Sequence, residues 1–180
     1  MPEPGALDGE DRVLLARVGA GFETVGELCN AWKFRAALGE ALALAREANG
    51  DTFATLSAGL DRKAPWFQIK EDPAAAATTV YVILRVVDNL KTILAPILPH
   101  TAQKLPEYLG YEGQLFGTQQ VVEYEEETRS HRALTYVHSG AVGTWTKSEL
   151  PPGQALRQPA PLFKKLDESV IEEEYARLEG

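Results

Sequence analysis

Apolar residues over the first hundred positions recur every three or four places, with polar residues filling the gaps. Leu14, Val18, Phe22, Val25 and Cys29 share one face of a helix. Phe34, Leu38, Ala41, Leu42 and Ala45 form a second such face, which stops at Asn49-Gly50, where glycine suits the left-handed close of a helix. Gly19, Gly21 and Gly26 weaken the first run and are the candidates for a bend between the two helices. A third run has the clearest boundaries. Asp72-Pro73 offers an N-cap followed by proline at the first helical position. Val80, Ile83, Leu84, Val87, Leu90 and Leu94 then make an apolar stripe, with Arg85, Asp88, Asn89 and Thr92 on the opposite face. Pro96 and Pro99 end or kink that helix. A short helix from His100 to Leu109 follows and stops at Gly110, although Pro106 is ill-placed inside it.

Beyond Gly110 the period is lost. Residues 111–160 are rich in Gly, Pro, Thr and Gln, and only 121–127 (VVEYEEE) alternates, as a short strand or as extended chain. From Pro161 a last helix is expected, with Asp167, Glu168 and Ser169 at its N-terminus and Ile171, Tyr175 and Leu178 on one face. The fold expected is all-α. A helical bundle fills residues 1–110, and an irregular extension over 111–180 ends in a helix packed back on it.

Composition narrows the class. The 180 residues are 44% hydrophobic, as in a globular domain, and contain no run near the roughly 20 apolar residues that cross a bilayer. Residues 1–12 have neither the basic nor the apolar region of a signal peptide. A single cysteine, Cys29, excludes an internal disulfide and fits a reducing compartment. These features predict a soluble, cytoplasmic protein with no membrane partner. The net charge is −8, and the residues after 110 hold 12 acids against 7 bases. Nucleic acid would therefore have to be met by a local patch, since binders that rely on phosphate contacts are usually basic overall.

Catalytic chemistry is not visible. No phosphate-binding glycine loop, dinucleotide fingerprint or zinc-protease motif occurs, and His100, His131 and His138 are scattered. Neither a metal nor a cofactor is expected. The segment that stands out runs from Leu60 to Asp72, where Trp66 lies among Arg62, Lys63 and Lys70. An indole offers a face on which an unpaired base can stack, worth roughly 1–3 kcal/mol, and neighbouring cations can hold phosphates. Spacing alone favours the other reading, in which the tryptophan plugs the end of the bundle and its charged neighbours point to water.

Taken in order, the alanine-rich helix ending at Asn49, the Pro65-Trp66 pair with Lys70, the long helix, Leu94 to Pro99 and the tail 161–174 (PLFKKLDESVIEEE) resemble the anticodon-binding helical domain of class I methionyl-tRNA synthetases. The resemblance covers nearly the whole chain. It implies a tRNA-binding module, not catalytic by itself, whose Trp66 stacks on an anticodon base with Arg62, Lys63, Lys70 and Asn49 around it. The implied partners are the anticodon stem-loop of methionine tRNA and the catalytic domain of the parent synthetase. The family's other anticodon readers, an Asn and an Arg on an earlier helix, and the signatures of its ATP- and methionine-binding half have no match here. Weak and poorly discriminating RNA binding is the expectation.

Pro65 also lies sixteen residues after Asn49, about twice the family's distance. The surplus lies near residues 51–59, and Phe53, Leu56 and Leu60 have helical spacing. The competing expectation is a helical scaffold or protein-interaction domain without an RNA role, self-associating through the surface left by the missing helix.

Overall fold

The computed structural model describes residues 1–50, 63–163, 165, 167 and 169–178. Helix α1, Gly9–Asn30, starts from a capping box. The Asp8 carboxylate accepts from the Asp11 amide and the Asp11 carboxylate accepts from the Asp8 amide, satisfying donors that a helix start leaves open. The helix passes unbroken through Gly19, Gly21 and Gly26 and turns only at Ala31–Lys33. The glycines instead admit neighbours. A Cβ on Gly21 would lie 2.4 Å from Leu44 Cδ1, and one on Gly26 would lie 2.9 Å from the Trp145 indole nitrogen.

Helix α2, Phe34–Asn49, returns alongside α1 and closes at Gly50 in the left-handed conformation. Its buried face is Ala37, Ala41, Leu44 and Ala48. Of the expected face Phe34, Leu38, Ala41, Leu42 and Ala45, Ala41 is buried and Ala45 packs partly against the core, whereas Phe34 is exposed. The alanine face is the one that lets two helices approach closely. Arg17 ties them at the rim through Glu40 (2.6 Å) and Glu47 (3.4 Å).

Helix α3, Pro65–Glu71, is a short turn of chain before helix α4, Pro73–Ile93. The Asp72 carboxylate caps α4 by accepting from the amides of Ala74 and Ala75, as its sequence indicated. Helix α4 runs parallel to α1. The Gly5 amide donates to Thr78 Oγ1 near its start, and Gly21 faces Ile93 at its end. Tyr81, Val82, Val86, Leu90 and Ile93 complete one core with Leu14, Val18, Phe22, Val25 and Leu44. Each large aliphatic side chain fully buried there contributes about 1.5–3 kcal/mol relative to exposure.

The polar side of α4 is the main departure from an amphipathic surface helix. Asp88, Asn89, Lys91 and Thr92 are all buried, because the chain beyond Gly110 covers them. Lys91 Nζ lies 2.6 Å from Asp88 Oδ1, the Tyr111 hydroxyl donates to Asp88 Oδ2 at 2.9 Å, and Ser148 Oγ donates to the same carboxylate. Asn89 holds the Ser148 backbone at both ends, giving to its carbonyl (3.0 Å) and receiving from its amide (2.9 Å). Burial, with the Asp88 charge next, pushes the Tyr111 phenol well above its ordinary value.

Two four-residue helices, α5 (Pro99–Ala102) and α6 (Leu105–Tyr108), replace the single helix expected over 100–109. Pro106 falls at the second position of α6, where a missing amide costs nothing.

The all-α expectation fails at residues 118–137. Strands β1, Thr118–Glu125, and β2, Ser130–Val137, pair antiparallel, so the fold is mixed α and β. Val121 faces Leu134, Val122 faces Ala133, and Glu123 meets Arg132 across the ladder. Such pairs of apolar or opposite-charge side chains stabilise a hairpin. The Glu126 amide closes the turn on the Arg129 carbonyl. The remainder of the extension lies across the bundle. The Trp145 indole donates to the Phe22 carbonyl at 2.9 Å and meets the Phe22 ring edge-on, and Leu150 is fully buried.

Helix α7, Ser169–Leu178, forms as expected, but none of its residues is buried. Ile171, Tyr175 and Leu178 are exposed rather than seated on the bundle.

Candidate nucleic-acid interface

The Pro-Trp segment is positioned from both sides. Ala64 takes a left-handed backbone (φ 40°), uncommon for a residue with a Cβ, and reverses the chain into Pro65, which is buried as the first residue of α3. On the other side Gln68 Oε1 accepts from the Thr79 hydroxyl and ties α3 to α4. Between these fixings Trp66 is 49% exposed, so it does not plug the bundle. Phe67 and Ile69 beside it are more exposed still, and the two rings tilt against each other at 6.3 Å. Lys70 stands one helical turn after Trp66, on the same face, exposed and without an ion pair among the described residues.

Lys63 is turned elsewhere. Its ammonium lies 2.7 Å from Asp11 Oδ1 and 2.8 Å from Asp8 Oδ2, which clips the entry to α3 onto the first turn of α1. Burial alone would lower this ammonium, but the hydrogen bonds it donates to the two carboxylates outweigh it and raise it above the ordinary lysine value. The same contact holds the Asp8 carboxyl below its usual value, helped by the Asp11 amide. In this arrangement Lys63 orients α3 and is already neutralised.

Of the five residues singled out by sequence, the structure therefore brings Trp66 and Lys70 together. Asn49 is exposed at the end of α2, a different element. Arg62 and the surplus segment 51–59 lie outside the described residues. Phe67 and Ile69 were passed over, although an apolar 66–67–69 pattern beside lysine was there to be read. The surface proposed for self-association shows exposed Val13 and Val80 on α1 and α4, while Met1 and Leu7 pack partly against the core. Among the described residues no helix is long and apolar enough to cross a membrane.

Comparison with known proteins gives these features a context. Residues 1–141 match the model of a family described as the anticodon binding domain of methionyl tRNA ligase. Among curated relatives, the methionine–tRNA ligase of Thermomicrobium roseum is 51% identical over 180 residues, covering 99% of this chain and 29% of that protein. That of Chloroflexus aggregans is 49% identical over 181 residues, covering 100% of this chain and again 29% of the relative. The chain thus spans less than a third of the length of the relatives it matches. A solved structure of Mycobacterium tuberculosis methionyl-tRNA synthetase bound by methionyl-adenylate superposes with a TM-score of 0.62 at 25% identity. It covers 91% of this chain and 26% of that one. The apo form of that synthetase shares the fold with a TM-score of 0.64 at 24% identity, covering 92% of this chain and 28% of that one. This chain belongs to the family of methionyl-tRNA ligase anticodon-binding domains.

Proposed function

We propose that the domain binds the anticodon loop of methionine tRNA and that Trp66 is its stacking platform, with no catalysis by this chain alone. The observation that carries the reading is the half-exposed indole at the head of α3, held by fixed neighbours and followed one turn later by Lys70, which has no ion pair among the described residues. A splayed loop presents unstacked bases, and an aromatic face set on a rigid element meets them at low entropic cost. Lys70 supplies a phosphate contact, which positions the RNA without reading its sequence. Phe67 and Ile69 widen the apolar surface around the indole. Lys63 acts indirectly, by fixing α3. The partners are the anticodon stem-loop and, in the whole protein, the catalytic domain; the setting is cytoplasmic.

Titration of the chain with a labelled methionine anticodon stem-loop tests the reading. Trp66→Ala is expected to weaken binding roughly 5- to 150-fold, the equivalent of losing one stacked base, and Trp66→Phe to weaken it less. Lys70→Gln is expected to lower the slope of affinity against salt by about 1. Equal affinity of the parent chain and Trp66→Ala would end the stacking assignment.

A further inference from the structure

A second aromatic and basic surface lies at the other pole of the bundle, in the α1–α2 corner. The last turn of α1 closes in a Schellman pattern: the Lys33 amide donates to the Leu28 carbonyl (2.8 Å) and the Trp32 amide to the Cys29 carbonyl (3.0 Å). The left-handed position of that motif normally holds glycine, as α2 does at Gly50. Here Trp32 occupies it at φ 60°, a strained backbone for a bulky residue. Its side chain is not tucked away in return. Trp32 is 81% exposed and meets exposed Phe34 edge-on at 5.8 Å. Lys33 and Arg35 alternate with the two rings, are exposed, and form no ion pair among the described residues. From Leu28 to Gly39 the chain carries no acidic residue, although its net charge is −8.

Neither folding nor solubility accounts for a tryptophan there. Glycine would remove the strain, and a polar residue would remove the exposed apolar surface. Strain kept at an exposed aromatic side chain is the mark of a contact made with something else.

From these observations we infer that Trp32, Lys33, Phe34 and Arg35 form a second RNA-contact surface, one that meets the body of the tRNA outside its anticodon loop. Unpaired cations flanking an indole complement a phosphate backbone and an exposed base or ribose face. The placement follows from α1. Lys63 fixes the entry to α3 onto the first turn of that helix, and Trp32 lies two residues past its last, so the two aromatic sites stand about 30 Å apart, the length of a 22-residue helix. A loop seated on Trp66 therefore cannot also reach Trp32. The inference shares with the proposed function the premise that this domain meets tRNA, but it rests on different residues.

Trp32→Gly is the decisive variant, because it relieves the left-handed strain and cannot lose binding by failing to fold. Its melting temperature is expected to rise by about 2–4 °C. Its affinity for a whole methionine tRNA transcript is expected to fall at least fivefold, with affinity for the isolated anticodon stem-loop unchanged. Joint Lys33→Glu and Arg35→Glu is expected to lower the salt slope for whole tRNA by about 2 and leave that for the stem-loop alone. Trp66→Ala, run beside them, should weaken both RNAs. Loss of whole-tRNA binding in Trp32→Gly supports the assignment even where the stem-loop does not bind, an outcome in which only the anticodon reading fails. Unchanged affinity for whole tRNA in both corner variants overturns it and leaves the corner to a protein partner. So does equal loss with both RNAs, or a parent chain that binds no whole tRNA.

Discussion

The two sides of helix α4 are held by different physics. Toward α1 and α2 it buries Val82, Val86 and Ile93 in a dry aliphatic core, where area removed from water sets the stability and no single pair is decisive. Toward the extension it presents Asp88, Asn89 and Lys91 to Tyr111 and Ser148, in a seam where these three side chains are held by particular hydrogen bonds. An aliphatic interface tolerates sliding and exchange of similar side chains. A buried polar seam does not, because one missing partner strands the others away from water. The bundle is thus specified by pattern, and the course of the extension by a few particular atoms.

That contrast can be broken most forcefully at its charged centre. Asp88→Ala is expected to cost about 3–5 kcal/mol in urea or thermal unfolding, because Lys91 would remain buried without a counter-ion. Replacing Asp88 and Lys91 together by apolar residues of similar volume should recover most of that loss. A cost below about 1 kcal/mol for Asp88→Ala would place the pair with ordinary surface ion pairs instead. Asn89→Ala should cost less, about 1–3 kcal/mol for stranded partners on the Ser148 backbone. Its sharper signature is in hydrogen exchange. Amides of the β1–β2 hairpin should lose protection while those of α1 and α2 keep theirs; uniform loss would mean that the two sides form one cooperative unit.

The smallest effect is at the clip between α1 and α3. Asp8 is held below its usual carboxyl value of 3.8, so it stabilises the fold above that pH, and the contribution disappears as the pH falls through the lower folded value. Lys63→Met should therefore lower stability in the neutral region and hardly alter the acid end, which flattens the acid side of the stability–pH curve. A curve parallel to the parent's would show that the contact contributes nothing.

Legibility from sequence follows the same division. The Leu14–Val18–Phe22–Val25 face, the Asp72-Pro73 start and the Asn49-Gly50 stop are local signals, and each is where the spacing put it. The polar face of α4 looked like a solvent face because Ser148, the partner of Asn89, lies 59 residues further on. Lys63 looked like a free cation for the same reason, its carboxylates being 52 and 55 residues earlier. The hairpin was missed although Ala133 to Val137 carries β-branched and aromatic residues, because β1 alone alternates weakly and only pairing gives it a period. At the site, the exposure of Trp66 was required by the reading and is met. Trp32 left no trace in the pattern, since left-handed backbone at a helix end is signalled by glycine and here there is none.

The Lys63 clip has a consequence for how such a domain can vary among relatives. It sets the orientation of α3 from the α1 side, downstream of everything between Gly50 and Lys63. The chain length in that interval is thereby released from the task of aiming Trp66. Closing a longer connection costs only about 0.6 kcal/mol for each doubling of length. Lineages can lengthen or shorten the stretch before the Pro-Trp pair by insertion and deletion, and the tryptophan stays where it was.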